Sequence, residues 1–190
     1  MALTFQDYKN RLLEEYDWLK TTYPIKDFKL KKLNIYNCKD YNKKYANGHQ
    51  EKYKEKEIDA FVMEKISFDT IEMSIFMVLD EEHELDTIDL MVLEKGKINS
   101  DHLFFWMLYH EYGHIYQLQR TFRLKGYDGF LDEREETEEL INQLYGQYCR
   151  GELFKEDLDL AYRNLWFEKE ADDFANHVYQ LRKHTLPKSL

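Results

Sequence analysis

The stretch that determines most about this chain is LFFWMLYHEYGH, residues 103–114. It begins as an apolar run and ends in the pattern His-Glu-x-x-His, and the polar residues 99–101 in front of it can cap a helix. Residues four apart lie on one face of an α-helix, so His110 and His114 can bind the same metal ion. Glu111 is then placed to take a proton from a water molecule on that ion. We therefore predict a buried metal-binding helix over residues 101–120.

Gly113 lies inside this predicted helix. A glycine there costs about 1 kcal/mol relative to alanine, which indicates a packing or functional reason for it. We expect it to let a strand or a substrate backbone pass close above the metal.

A third metal ligand is expected downstream. A catalytic zinc ion takes three protein ligands and a water molecule, and His-Glu-x-x-His supplies two of them. The sequence Glu-x-x-Ala-Asp at residues 168–172 offers another. Glu168 and Asp172 lie one helical turn apart, so Glu168 can bind zinc while Asp172 accepts a hydrogen bond from the far nitrogen of a ligand histidine. The small Ala171 and Ala175 would let the two helices approach closely. The predicted zinc ligands are His110, His114 and Glu168.

Two other sources of a third ligand remain open on the sequence. Glu170 lies about 200° around the helix from Glu168, so only one of the two can face the histidines. An acidic run also follows the metal-binding helix, and it consists of Glu133, Glu135, Glu136, Glu138 and Glu139. Such a run is typical of the first turns of a helix, where acids favour the positive end of the helix dipole and face solvent.

Composition limits the class of protein. The 190 residues carry 37 acidic and 27 basic side chains, a net charge of −10, which argues against a nucleic-acid-binding surface. Lysines and tyrosines are interleaved between residues 20 and 56, a pattern more typical of a solvated strand-and-loop region. We find no stretch long enough for a membrane span and no signal-peptide core. A length of 190 residues predicts one domain over residues 1–190. Cys38 and Cys149 are consistent with a reducing compartment, so we expect the protein to be cytoplasmic.

Hydrophobic periodicity and turn residues predict an α+β fold, in which a small, mostly antiparallel sheet packs on the His-Glu-x-x-His helix and further helices follow. The predicted strands are residues 29–38, 58–64, 70–79 (which could also form a helix) and 87–93, with a loop at 37–50. The predicted helices are residues 3–22, 101–120, 132–150, 155–163 and a last one around Glu168 that ends near Lys183. A chain break is expected at residues 126–129 and a capping box at Asp132.

The blocks His-Glu-Tyr-Gly-His and Glu-Lys-Glu-Ala-Asp-Asp-Phe-Ala resemble those of the ImmA/IrrE-type minigluzincins, which are small zinc metallopeptidases of bacteria and phages. The resemblance implies a zincin-like fold in which the strand at 87–93 runs over the active-site helix and holds an extended substrate. It also implies that Zn²⁺ binds at His110, His114 and Glu168, and that Glu111 is the general base.

A protein of this family would hydrolyse peptide bonds, and we expect its substrate to be a specific intracellular protein. The net charge and the lack of a long apolar stretch argue against a nucleic-acid or membrane partner. The chain departs from the family after the second block, where Val178-Tyr179-Gln180-Leu181 stands in place of Leu-Leu-Met-Pro. The alternative is a regulatory protein-binding module on the same fold, with little or no proteolytic activity.

Overall fold

The computed structural model describes residues 4–45, 52–54, 56–67, 70–80 and 82–187. The elements in chain order are α1 (Phe5–Thr22), β1 (Lys29–Leu30), β2 (Asn34–Tyr36), α2 (Cys38–Tyr45), β3 (Asp59–Ser67), β4 (Thr70–Val78), α3 (Thr87–Gly96), a 3₁₀ turn (Ser100–His102), α4 (Leu103–Cys149), α5 (Lys155–Arg163) and α6 (Trp166–Arg182). The predicted α+β class is confirmed. Within the described ranges, no helix combines the length and the apolar character needed to cross a membrane.

β4 is the central strand of a small mixed sheet. β3 pairs with it antiparallel over nine residue pairs. β1 and β2 pair in parallel with different parts of β4, at residues 72–73 and 76–78. Since a strand has two edges, β1 and β2 share the edge that β3 leaves free. The predicted antiparallel pairing holds for the β3–β4 hairpin and is wrong for β1 and β2, which join the second strand of the hairpin and not the first.

Residues 87–93 belong to α3, so the strand predicted there is wrong. Asp86 caps the helix: its side chain accepts a hydrogen bond from the Asp89 backbone N–H at 2.9 Å, and the Asp89 side chain accepts one from the Asp86 N–H at 3.1 Å. Lys97 ends the helix in the left-handed conformation. A short apolar run is compatible with either a strand or a helix, and here the caps on both sides of the run favour the helix.

α2 begins inside the predicted loop, which is wrong over residues 38–45. The Asn37 side chain accepts a hydrogen bond from the Asp40 backbone N–H at 2.8 Å, and this contact caps the helix. Residues 46–50, the rest of the predicted loop, lie outside the described residues.

Tyrosines of the lysine-rich segment pack into a small second core. Tyr41 and Tyr53 are buried there with Phe76 and Val78. The Lys52 ammonium lies 4.9 Å from the centre of the Tyr53 ring and 5.4 Å from that of Tyr41. These aromatic rings therefore stabilise the sheet instead of forming an open stacking surface.

α4 is the longest helix and is kinked at one residue. Gly126, at φ 75° and ψ −169°, has a non-helical conformation that is open essentially only to glycine. The predicted break is confirmed at this residue, but the helix resumes directly after it. The capping box predicted at Asp132 is therefore wrong, since Asp132 lies inside the helix.

A buried ion pair joins three of the helices. Glu15 of α1 is 6% exposed and accepts hydrogen bonds from the Tyr109 hydroxyl of α4 at 2.8 Å and from Nε of Arg182 of α6 at 3.0 Å. Trp18 covers the guanidinium, which lies 4.7 Å from the centre of its ring. Because a buried charge is costly unless it is paired, these contacts fix how α1, α4 and α6 pack.

Candidate metal centre

Three candidate ligand side chains converge between α4 and α6. His110 and His114 lie one turn apart on α4, with their Nε2 atoms 3.1 Å apart. Glu168, in the first turn of α6, places Oε2 3.2 Å from His110 Nε2 and Oε1 3.4 Å from His114 Nε2. His110 is 5% exposed and Glu168 is 2% exposed, so these groups are held away from bulk water.

The distances between these atoms fit a metal ion. Zinc bonds of about 2.0–2.1 Å in a tetrahedron separate neighbouring ligand atoms by about 3.3–3.4 Å. The separations here are 3.1, 3.2 and 3.4 Å, although the two contacts of Glu168 use different carboxylate oxygens. With one ligand atom from each residue, all three atoms lie within 4.8 Å of one another. The cluster could therefore hold a metal ion, and two imidazoles with one carboxylate are a donor set typical of zinc.

Asp172 lies behind His110. Its Oδ1 is 3.0 Å from His110 Nδ1, the ring nitrogen that does not face Glu168. The contact is within ion-pair distance, although its direction departs from that of a straight hydrogen bond. A carboxylate in this position orients the ring and leaves Nε2 as the ligand atom. The structure thus brings Asp172 to His110 rather than to His114.

The other acidic residues considered as ligands have different partners. Glu170 pairs with Arg120 at 2.8 Å. Glu133 is buried, and its carboxylate accepts a hydrogen bond from the Thr121 hydroxyl at 2.7 Å. The remaining acids of that run are exposed, and they are Glu135, Glu136, Glu138 and Glu139.

Glu111 lies beside the cluster and is 7% exposed. Burial raises the pKa of its carboxyl from the ordinary 4.5 to about 7, with His114 opposing the rise and Glu168 adding to it. A pKa near neutrality suits a group that accepts and returns a proton, and a bound divalent cation would lower it.

The Glu168 carboxylate stays ionised. Burial alone would raise its pKa, but the hydrogen bonds and charges of His110 and His114 outweigh burial and hold the pKa well below the ordinary 4.5. The carboxylate is therefore in the deprotonated form that a metal ion binds.

Gly113 marks a close approach of the two ligand-bearing helices. A Cβ at this position would lie 3.2 Å from both the Cα and the carbonyl oxygen of Ala171. Ala171 and Ala175 are fully buried, as expected of small residues between close helices. The close neighbour of Gly113 is therefore α6, and not the strand or substrate backbone that the sequence predicts.

We expect Gly113→Ala to be destabilising, although alanine is the better helix former. The new Cβ meets backbone atoms that no side-chain rotation can move, and such overpacking costs about 1–3 kcal/mol against a propensity gain of about 1 kcal/mol. Gly146 is the matched control in the same helix, because a Cβ there meets only the flexible tip of Arg150 at 3.2 Å. Denaturant unfolding should rank Gly146→Ala above Gly113→Ala by roughly 1–3 kcal/mol. Equal stabilities would show that α6 moves aside without cost.

Sequence patterns do not single out Trp106, Tyr162 or Arg163, although all three lie at the site. Trp106 stacks on His110, with ring centres 5.3 Å apart. Tyr162 lines the cleft described next, and burial together with the charge of Glu168 raises the pKa of its hydroxyl. Arg163 donates a hydrogen bond to Glu168 Oε2 at 2.9 Å. The one feature that could have indicated Tyr162 and Arg163 is their position at the end of α5, only a few residues before Glu168.

A cleft with a volume of about 1300 Å³ opens over the cluster. It is lined by residues of β3, α3, both parts of α4, α5 and the start of α6. Within the described ranges, β3 pairs with no strand other than β4, and residues 59–62 of β3 line the cleft. The strand at the cleft is therefore β3, and not the segment 87–93.

Comparisons with known proteins return no relative. No protein-family model matches the chain, and no match is found among curated proteins or solved structures. The family resemblance therefore depends on the two sequence blocks, and the metal site depends on the geometry of the cluster.

Proposed function

We propose that this chain is a zinc-dependent metalloendopeptidase of the ImmA/IrrE-like gluzincin type. One observation carries the proposal: Glu168 meets His110 and His114 from a separate helix, in a cleft that also contains Glu111. Zinc, when bound, would polarise the scissile carbonyl and lower the pKa of its water ligand towards neutrality.

Each side chain of the site has a separate role in this proposal. His110, His114 and Glu168 hold the ion, and Asp172 orients His110. Glu111 accepts a proton from the attacking water and later delivers it to the leaving amine. The position of Glu111 supports this role, because its carboxyl is buried in the cleft beside the three proposed ligands.

The substrate that we propose is an extended segment of an intracellular protein, bound along β3. A strand edge without a strand partner offers backbone N–H and C=O groups to such a segment, and the side-chain pockets beside it select the sequence. The position of β3 along the cleft supports this arrangement. Cys38 and Cys149 are free, which suits the reducing cytoplasm.

Tyr162 is our candidate for stabilising the negative charge that develops on the scissile carbonyl oxygen. It lines the cleft, and a tyrosine hydroxyl is protonated at neutral pH and can donate a hydrogen bond. Tyr162→Phe is expected to lower kcat/KM by about 10²–10³-fold, the scale for one such donor, while zinc affinity changes little. Peptide-hydrolysis kinetics and a zinc titration on the same samples check this. Loss of zinc instead would assign the hydroxyl to the positioning of Glu168.

The proposal is tested by a search for new protein termini. Zinc-loaded wild type and zinc-loaded Glu111→Gln are incubated with identical cell lysates, and newly formed N-termini are labelled and identified by mass spectrometry. New termini in a few proteins, absent with Glu111→Gln and with chelator-treated wild type, would support a protease of restricted specificity. No such termini despite stoichiometric zinc would favour the regulatory binding module.

A further inference from the structure

Arg163 reaches into the metal centre from the end of α5. Its Nη1 lies 2.9 Å from Glu168 Oε2 and 3.4 Å from His110 Nε2, and its Nη2 donates to Oδ1 of Asp172. The side chain is 15% exposed. Its guanidinium lies 5.5 Å from the centre of the Trp106 ring, the ring that also stacks on His110.

Two of these contacts use atoms that a metal would also need. Glu168 Oε2 and His110 Nε2 are 3.2 Å apart, and Nη1 of Arg163 is within hydrogen-bonding distance of both. The Nη1 group lies beside His110 Nε2, on the side where a metal shared with Glu168 would have to bind. A guanidinium keeps its positive charge throughout the pH range of folded proteins, so a change of pH does not remove this competitor.

Arg163 also balances the charge of the site. Glu168 and Asp172 are 2% and 5% exposed, and buried carboxylates are costly unless they are paired. Lys95 approaches Asp172 only to 3.9 Å and has no contact with Glu168 among the ion pairs of the described residues. The guanidinium bonds both carboxylates and stays charged when His110 and His114 are neutral, so it is their permanent cationic partner among the ion pairs of the described residues.

We propose that Arg163 is a resident counter-cation of the metal centre. It holds Glu168 and Asp172 in place before a metal binds, and metal binding displaces it from Glu168 Oε2 and His110 Nε2. The inference rests on the metal site of the proposed function, but not on hydrolysis. Arg163 is thus a positioning residue with two effects of opposite sign, because it stabilises the fold without metal and weakens the metal complex.

Arg163→Met tests both effects with zinc as the only ligand. Zinc affinity, measured by competition with a chromophoric chelator, is expected to rise by about 10- to 100-fold, the same size as the loss that follows removal of a group that supports a ligand, but opposite in sign. The melting temperature in excess chelator is expected to fall, because Glu168 and Asp172 lose their partner. If Arg163 only supported the ligands, its substitution would lower both the zinc affinity and the melting temperature. Unchanged or weaker zinc binding in Arg163→Met therefore overturns the proposal.

Three further variants keep the test decisive. Arg163→Gln removes the charge but keeps a hydrogen-bond donor, so its zinc affinity should also rise even if Arg163→Met fails to fold. Arg163→Lys keeps the charge but loses the fork that bonds both carboxylates, so its zinc affinity should lie closer to wild type than to the neutral variants, whereas affinity as high as theirs would exclude charge as the cause. Arg120→Met removes a surface guanidinium that pairs with Glu170 and should change neither quantity. Wild type that binds no zinc would refute the metal centre itself, a result distinct from a variant that gains no affinity.

Discussion

Glu168→Ala is expected to cost the protein its bound zinc. Apparent binding free energies of zinc in small protein sites are about 10–16 kcal/mol over four ligand positions, so one ligand contributes on the order of 3 kcal/mol, or about 10²–10³-fold in affinity. Glu168 is also the one ligand of the cluster that α4 does not carry, so its loss leaves two imidazoles from a single helix. Native mass spectrometry would count the zinc, and chelator competition would measure the affinity.

Glu170→Ala is the matched control, two residues along the same helix. Glu170 pairs with Arg120 and not with the histidines, so zinc binding should be unaffected. His110→Ala should behave like Glu168→Ala, because it removes another buried ligand atom. Unchanged zinc affinity in Glu168→Ala, or loss of zinc in Glu170→Ala, would reverse the ligand assignment.

The residues of the candidate site could be predicted because they fall into two pairs with helical spacing. His110 with His114, and Glu168 with Asp172, are each four residues apart, so helix geometry alone places each pair on one face. The meeting of the two pairs is a long-range contact that spacing does not specify. Gly113, a glycine inside a helix, was the local indication of a close approach, but only the fold shows that the neighbour is Ala171.

The parts of the fold that the sequence did not predict depend on packing between distant segments. Residues 90–93 form an unbroken apolar run, which gives no alternation that would separate a strand from a helix. β1 and β2 could pair with the free edge of β3 or with that of β4, and the composition of the strands does not determine which. Arg163 is one of many charged residues on exposed helices, and its contacts with Glu168 and Asp172 exist only after α5 packs beside α6.

Glu111→Gln is expected to keep stoichiometric zinc and to lose hydrolysis by about 10²–10⁴-fold, the usual contribution of a general base. Glutamine has nearly the same shape but cannot accept the proton, and Glu111 is not one of the three side chains of the cluster. The rate of hydrolysis of a peptide that contains a mapped cleavage site would test the loss of activity, and the zinc content of the same sample would test the retention of the metal. A variant that hydrolyses the peptide at the wild-type rate would refute the role of Glu111.

Glu111→Gln also changes how the stability of the fold depends on pH. In the folded chain, burial raises the pKa of Glu111 to about 7 from the ordinary 4.5, so the folded state holds this proton more tightly than the unfolded state does. The stabilisation is complete below about pH 4.5 and is lost as the pH rises through 7, a loss of roughly 3 kcal/mol in chelator-treated protein. The glutamine variant does not titrate, so its unfolding free energy should improve relative to wild type between about pH 5 and pH 8. A difference that did not change with pH would mean that Glu111 is not enclosed as the structure places it, and the argument for this residue as the proton acceptor would lose its electrostatic support.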